Sequence, residues 1–153
     1  MIGMTEASRT ILIAAVSIAA GMTWQGVRTA AIPVASPDRL IAELRLAQIA
    51  ALVLMATASA YVGVAITHET EPGVGLDIAL ALGFGIVAAV TLVRDPRQGL
   101  TLLALAFAAH AVLDVAHRPG VLPVDVTPRW YALGCAVFNV YVGAVTYWPM
   151  LRR

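Results

Sequence analysis

Residues 41–67 read IAELRLAQIAALVLMATASAYVGVAIT, and the fold follows from how this stretch is interpreted. It shows no two-residue alternation of apolar and polar side chains. Ala and Leu outnumber its β-branched residues, so a strand is disfavoured and a helix favoured. About 20 apolar residues, within a range of about 17–25, carry a helix across the hydrocarbon of a bilayer. This stretch is long enough to cross and then to tilt or protrude.

Four more apolar stretches flank it, over about 10–27, 76–93, 100–116 and 130–148. Together they predict one all-α integral membrane domain, a polytopic bundle of about five transmembrane helices over residues 1–153. Composition agrees. The 153 residues are 60% hydrophobic and 12% charged, with mean hydropathy +0.85. A soluble domain is usually about 45–50% apolar and about 25% charged, so lipid is the expected solvent for the excess apolar surface. Pro33, Pro37, Pro72, Pro96, Pro119, Pro123, Pro128 and Pro149 all fall outside the five stretches. That placement is expected where a lost backbone hydrogen bond cannot be replaced by water. The segment Asp95-Pro96-Arg97-Gln98-Gly99 reads as a tight turn that sets its neighbours antiparallel.

Net charge is +1, which excludes nucleic acid as a partner, because displacing counterions from phosphates needs a basic stripe. Every basic residue is Arg. The N-terminus and the loops joining the second and third and the fourth and fifth helices share one side, with Arg9, Arg118 and Arg129. The other side holds Arg28, Arg39, Arg45, Arg94, Arg97, Arg152 and Arg153. The positive-inside rule then predicts a multi-pass cell-membrane protein with its N-terminus outside and its C-terminus cytoplasmic. Trp130 and Tyr131 are expected at the outer interface, and Tyr147, Trp148 and Trp24 at the inner one. Arg9 before an apolar run is one feature of a signal peptide. Glu6 and the lack of a clean small-x-small cleavage site favour a retained helix. The pairs Ala79/Gly83, Ala81/Gly85 and Ala104/Ala108 have the four-residue spacing that lets helices approach closely, although an Ala-rich chain also produces such pairs by chance.

The fourth stretch ends in His110-Ala-Val-Leu-Asp114-Val-Ala-His117. Positions i, i+4 and i+7 share one narrow helical stripe. Ionisable groups at membrane depth are costly and rarely face lipid, so the stripe is expected to face the bundle interior. Cys135 and Asn139 on the fifth helix and Tyr61 on the second are expected at a similar level, with His68, Glu69, Glu71 and Asp77 around the adjoining loop. Three chemistries fit this grouping. Imidazole and carboxylate suit a divalent metal such as zinc, with His110, Asp114, His117, His68 and Glu69 as the candidate ligands. Asp and His can relay protons. Asp114 can also pair with His110, His117 or Arg118 for purely structural reasons. His110 and His117 lie about 10 Å apart along the axis, too far for all three stripe residues to share one ion easily. The single cysteine, Cys135, excludes an intramolecular disulfide and any Cys-based zinc cage. No phosphate-binding Gly loop, Gly-x-Ser-x-Gly elbow or His-Glu-x-x-His motif occurs, so no catalytic residue or reaction is assigned.

The last 45 or so residues resemble a family of small, uncharacterised bacterial integral membrane proteins. The resemblance rests on His110-x-x-x-Asp114-x-x-His117, a loop with Pro119 to Pro128, and a helix carrying Gly134-Cys135-Ala136 with Asn139 shortly after. Arg118 stands where the family often has a second His, and Asn139 where it tends to have an acidic residue. The resemblance implies that His110, Asp114, His117 and Asn139 form a spatial group and implies no reaction. Two function classes follow. In one the protein bears a metal or proton site near the outer face. In the other it is an accessory or scaffold subunit, a homo-oligomer or part of a larger membrane complex, and the cluster is structural.

Overall fold

The structure is a computed structural model and describes residues 5–67, 73–117, 121–122 and 129–152. It contains five helices in chain order: α1 (Glu6–Ala31), α2 (Pro37–Thr67), α3 (Val74–Thr91), α4 (Pro96–Ala116) and α5 (Arg129–Leu151). Among the described residues there is no strand.

Local chemistry sets the helix starts. The Thr5 hydroxyl accepts from the Ser8 N–H to cap α1, and Glu6 sits in its first turn, where the exposed N–H groups favour negative charge. Pro37 opens α2, a position at which its missing N–H costs nothing. Gly73 precedes α3 with φ 98°, a left-handed backbone that glycine adopts without steric cost. The Asp95 carboxylate accepts from the Arg97 N–H, and Pro96 takes the first turn of α4. Pro96 to Gly99 therefore belong to the helix, and the turn between α3 and α4 is shorter than the sequence suggested.

Pro149 lies inside α5 and not beyond it. Its ring leaves the Val145 carbonyl without the usual intrahelical donor. Gly26 of α1 packs against that carbonyl: a Cβ at position 26 would lie 3.1 Å from the Val145 oxygen and 3.0 Å from its Cγ1. Here α1 and α5 approach backbone to backbone. Gly143 has the same role between α5 and α4, where a Cβ would meet the Phe107 Cβ at 3.1 Å and the Ala104 carbonyl at 3.3 Å. Of the small-residue pairs, Ala79 and Gly83 both face outward.

α2 is the axial element and touches the other four helices, while the broadest contact joins α4 and α5. The dry centre is built from residues such as Leu46, Leu54, Leu100, Leu103, Phe107 and Val142, all fully buried. Large apolar side chains also cover the outside, including Leu52, Leu82, Leu105, Val112 and Val137. Arg39, Glu43, Asp77, His110, Asp114 and Asn139 are meanwhile buried. Apolar groups outside and charges inside reverse the arrangement of a water-soluble protein and suit a lipid solvent. α1, α2, α3 and α4 are each long and apolar enough to cross a membrane. α5 is long enough, but Asn139, Thr146, Pro149 and its aromatics make it more polar. Trp24, Trp130, Tyr147 and Trp148 are exposed, as interface anchors should be. Tyr131 instead turns inward and packs edge-on to Tyr61.

At the end of the bundle where α2 begins, Arg39 ties three helices together. Its guanidinium donates to the carbonyls of Thr29 and Ile32 at the C-terminus of α1, the second at 3.0 Å, and to the Pro149 carbonyl of α5 at 2.6 Å. Its Nε donates to Glu43 at 2.7 Å. The other Glu43 oxygen accepts from Arg97 of α4 at 2.9 Å. Helix ends leave carbonyls without partners, and one buried arginine supplies donors to a carbonyl at the end of α1 and one at the end of α5.

Candidate metal centre

The polar stripe of α4 lies at the opposite end of the bundle. His110 and Asp114, one turn apart, both point inward and are 3% and 1% exposed. Asp114 is held from two other helices. The Tyr61 hydroxyl of α2 donates to Oδ1, and the Asn139 amide of α5 donates to Oδ2 at 3.0 Å. The same amide nitrogen donates to the Cys135 sulfur, one turn earlier on α5, at 3.3 Å. These hydrogen bonds fix the orientation of the carboxylate and bring the thiol alongside it.

His110 is differently placed. Its Nε2 lies 3.6 Å from Asp114 Oδ1, beyond hydrogen-bonding distance. Its Nδ1 has no partner among the described residues, and neither does the buried Asn139 Oδ1. The ring stacks on Phe84 of α3, with centroids 4.6 Å apart and planes at 15°, which sets its plane without giving Nδ1 a partner. A buried imidazole nitrogen with no partner among the described residues, in a ring beside a carboxylate and a thiol, is costly, since an unsatisfied buried polar group costs about 1–3 kcal/mol. One ligand atom from each of His110, Asp114 and Cys135 lies within 4.8 Å of the others, and this cluster could hold a metal ion.

His117 leaves this group. It caps α4 with ψ 78°, and that departure from helical geometry turns its ring towards α3. Nδ1 lies 2.7 Å from the Leu113 carbonyl and Nε2 lies 2.8 Å from Asp77 Oδ1. A carbonyl can only accept, so Nδ1 carries a proton. The Tyr61 ring separates the two polar pairs, with centroids 5.7 Å from His110 and 5.4 Å from His117. A small cavity lined by Tyr61, Asp77, His110, Asp114 and His117 has room for about one water molecule between them.

No family model, curated protein or solved structure matches the chain. The site therefore stands on its own geometry. Of the residues singled out from sequence, the structure brings together His110, Asp114, Cys135, Asn139 and Tyr61, and it places His117 on Asp77 instead of Asp114. His68, Glu69 and Glu71 lie outside the described residues. Sequence reasoning missed the pairing of Asp77 with His117 and the stacking of Phe84, because both depend on how α3 rotates against α4. It also missed the Arg39–Glu43–Arg97 cluster. The four-residue spacing of Arg39 and Glu43 is a signal that could have found it.

Proposed function

We propose that this is a multi-pass membrane protein that binds a divalent transition metal, zinc or a similar ion, through His110, Asp114 and Cys135. The observation that supports this most is the buried His110 ring, whose Nδ1 has no hydrogen-bond partner among the described residues and which lies beside a carboxylate and a sulfur. A nitrogen, an oxygen and a sulfur donor are the set such ions prefer, at about 2.0–2.3 Å. A tetrahedral ion would need its donors roughly 3.4 Å apart, so the present spacing, within 4.8 Å, must close by up to about 1.4 Å, which side-chain rotation can supply. Tyr61 and Asn139 would orient the Asp114 ligand from outside the coordination sphere. The small cavity towards His117 and Asp77 leaves room for a fourth ligand such as water. In this reading the site opens to the outer face, with the arginine-rich end in the cytoplasm.

The test is metal content and ligand identity. Protein purified in mild detergent is expected to carry or take up close to one zinc per chain. Replacement by cobalt(II) is expected to give a thiolate charge-transfer band, lost in Cys135→Ser and weakened in His110→Ala. Absence of metal both as purified and after zinc loading would remove the proposal.

A second reading is an accessory subunit in which the cluster is structural. Ala79 and Gly83, four residues apart on α3 and both exposed, support it, because small outward-facing residues admit another helix. Cross-linking at Ala79→Cys that traps a second chain, together with a metal-free site, would favour this reading.

A further inference from the structure

At the arginine-rich end, α1 and α2 diverge around a cavity of about 330 Å³ lined by Gln25, Arg28, Thr29 and Ile32 of α1 and by Asp38, Ile41, Ala42 and Arg45 of α2. Three observations about this cavity converge. First, among the described residues neither Arg28 nor Arg45 has a carboxylate partner. The ion pairs at this end belong to Arg39 and Arg97, and Arg28 instead lies over the Trp24 ring at 5.7 Å. Second, each arginine ends an uncharged apolar stretch. Arg28 follows residues 10–27 and Arg45 precedes residues 46–67, neither of which contains an Asp, Glu, Lys or Arg. The two guanidiniums therefore sit where hydrocarbon gives way to the polar region of the bilayer, the level of lipid phosphates. Third, the neighbouring surface is apolar and exposed, with Trp24 and Val27 on the membrane side of Arg28 and Leu52 and Met55 on the membrane side of Arg45. Acyl chains would lie against it.

We propose that this cleft binds the headgroup of an anionic glycerophospholipid, with its phosphodiester between Arg28 and Arg45 and its acyl chains along the outer surface of α1 and α2. Guanidinium groups hold phosphate oxygens through paired N–H donors, and basic pockets between membrane helices on the cytoplasmic side suit such headgroups. Two arginines and one aspartate leave the cleft with a net single positive charge, which complements one singly charged phosphodiester. Asp38 lies in the first turn of α2, beyond the arginines from the membrane. There its carboxylate can accept from headgroup hydroxyls, and it repels a second negative group. The chemistry that fits is thus a phosphatidylglycerol-like lipid. The inference stands apart from the metal site, which lies at the other end of the bundle.

The test is native mass spectrometry of the full chain from mixed micelles holding phosphatidylglycerol or phosphatidylcholine of matched acyl length, alongside thermal unfolding with the same additions. The expected result is retention of phosphatidylglycerol over phosphatidylcholine and a matching rise in Tm. Arg28→Gln and Arg45→Gln should each lower retention about fivefold, and the double variant about 25-fold, from the contribution of each arginine near an anionic surface. Arg94→Gln, which removes an exposed arginine outside the cleft, should leave retention unchanged, and Arg28→Lys should retain part of it. Inorganic phosphate alone should neither raise Tm nor displace the lipid. Equal retention of the two lipids, unchanged retention in the double variant, or full competition by inorganic phosphate would each overturn the proposal.

Discussion

Arg39→Met is the substitution whose effect the structure specifies most closely. Methionine approximates the apolar stem of arginine and offers no donor. Two losses follow. Glu43, 1% exposed, would keep only Arg97, whose side chain is 50% exposed, and breaking a buried ion pair costs about 3–5 kcal/mol. The Pro149 carbonyl, reached by Arg39 in a buried hydrogen bond, would lose that donor, at about 1–3 kcal/mol where water cannot replace it, while the Thr29 carbonyl would keep only the Ile32 N–H. These terms share one side chain and do not add in full. A loss of about 5 kcal/mol is therefore expected, comparable with the whole stability of a marginal domain. Arg97→Gln removes the half-exposed partner of the same carboxylate and should cost about 1 kcal/mol or less. In Arg39→Met/Glu43→Leu no buried charge is stranded, so the double variant should recover part of the loss. Unfolding in mixed micelles with increasing SDS, followed by tryptophan fluorescence, gives the three values on one scale. Comparable losses for Arg39→Met and Arg97→Gln, or a double variant less stable than Arg39→Met, would refute the assignment of Arg39 as the tie between α1, α2 and α5.

Further expectations follow from individual contacts. Gly143→Val should destabilise by roughly 1–3 kcal/mol through forced separation of α4 and α5, whereas Gly63→Ala, where a Cβ meets nothing within 4 Å, should change SDS unfolding little. His117→Gln and Asp77→Asn should be non-additive by about 0.5–3 kcal/mol in a double-mutant cycle, and so should His110→Ala with Asp114→Ala; simple additivity in either cycle would argue against the contact concerned. A reporter fused after Arg153 should be cytoplasmic, and a periplasmic signal would invert the proposed orientation.

Each part of the candidate site was legible to a different degree. The i, i+4, i+7 spacing placed His110, Asp114 and His117 on one stripe, and His110 and Asp114 do lie buried together. The fourth stretch is expected to end at 116, and α4 does end there; the stripe could not show that this end turns His117 away from Asp114 and lets Asp77 capture it. Cys135 is expected at the level of the stripe, from depth alone. Its place beside Asp114 depends on Asn139, one turn further along α5, whose amide reaches both groups. Glu43 drew no notice because it lies in an apolar helix near its end. Only the packing of four helices around that end shows that its carboxylate joins α2 to α4.

Sequence alone determined the solvent, the secondary structure and the segmentation of this protein. Those properties rest on local quantities, namely the length of apolar runs, the positions of proline and the scarcity of charge, and each can be read within a window of about 20 residues. Tertiary structure alone decided which polar groups meet. Partner choice depends on the rotation and depth of each helix against its neighbours. Those are set by close approaches such as Gly26 on Val145 and Gly143 on Phe107, between residues more than 30 positions apart in the chain. A buried polar group must find a partner, but only the packing selects which one.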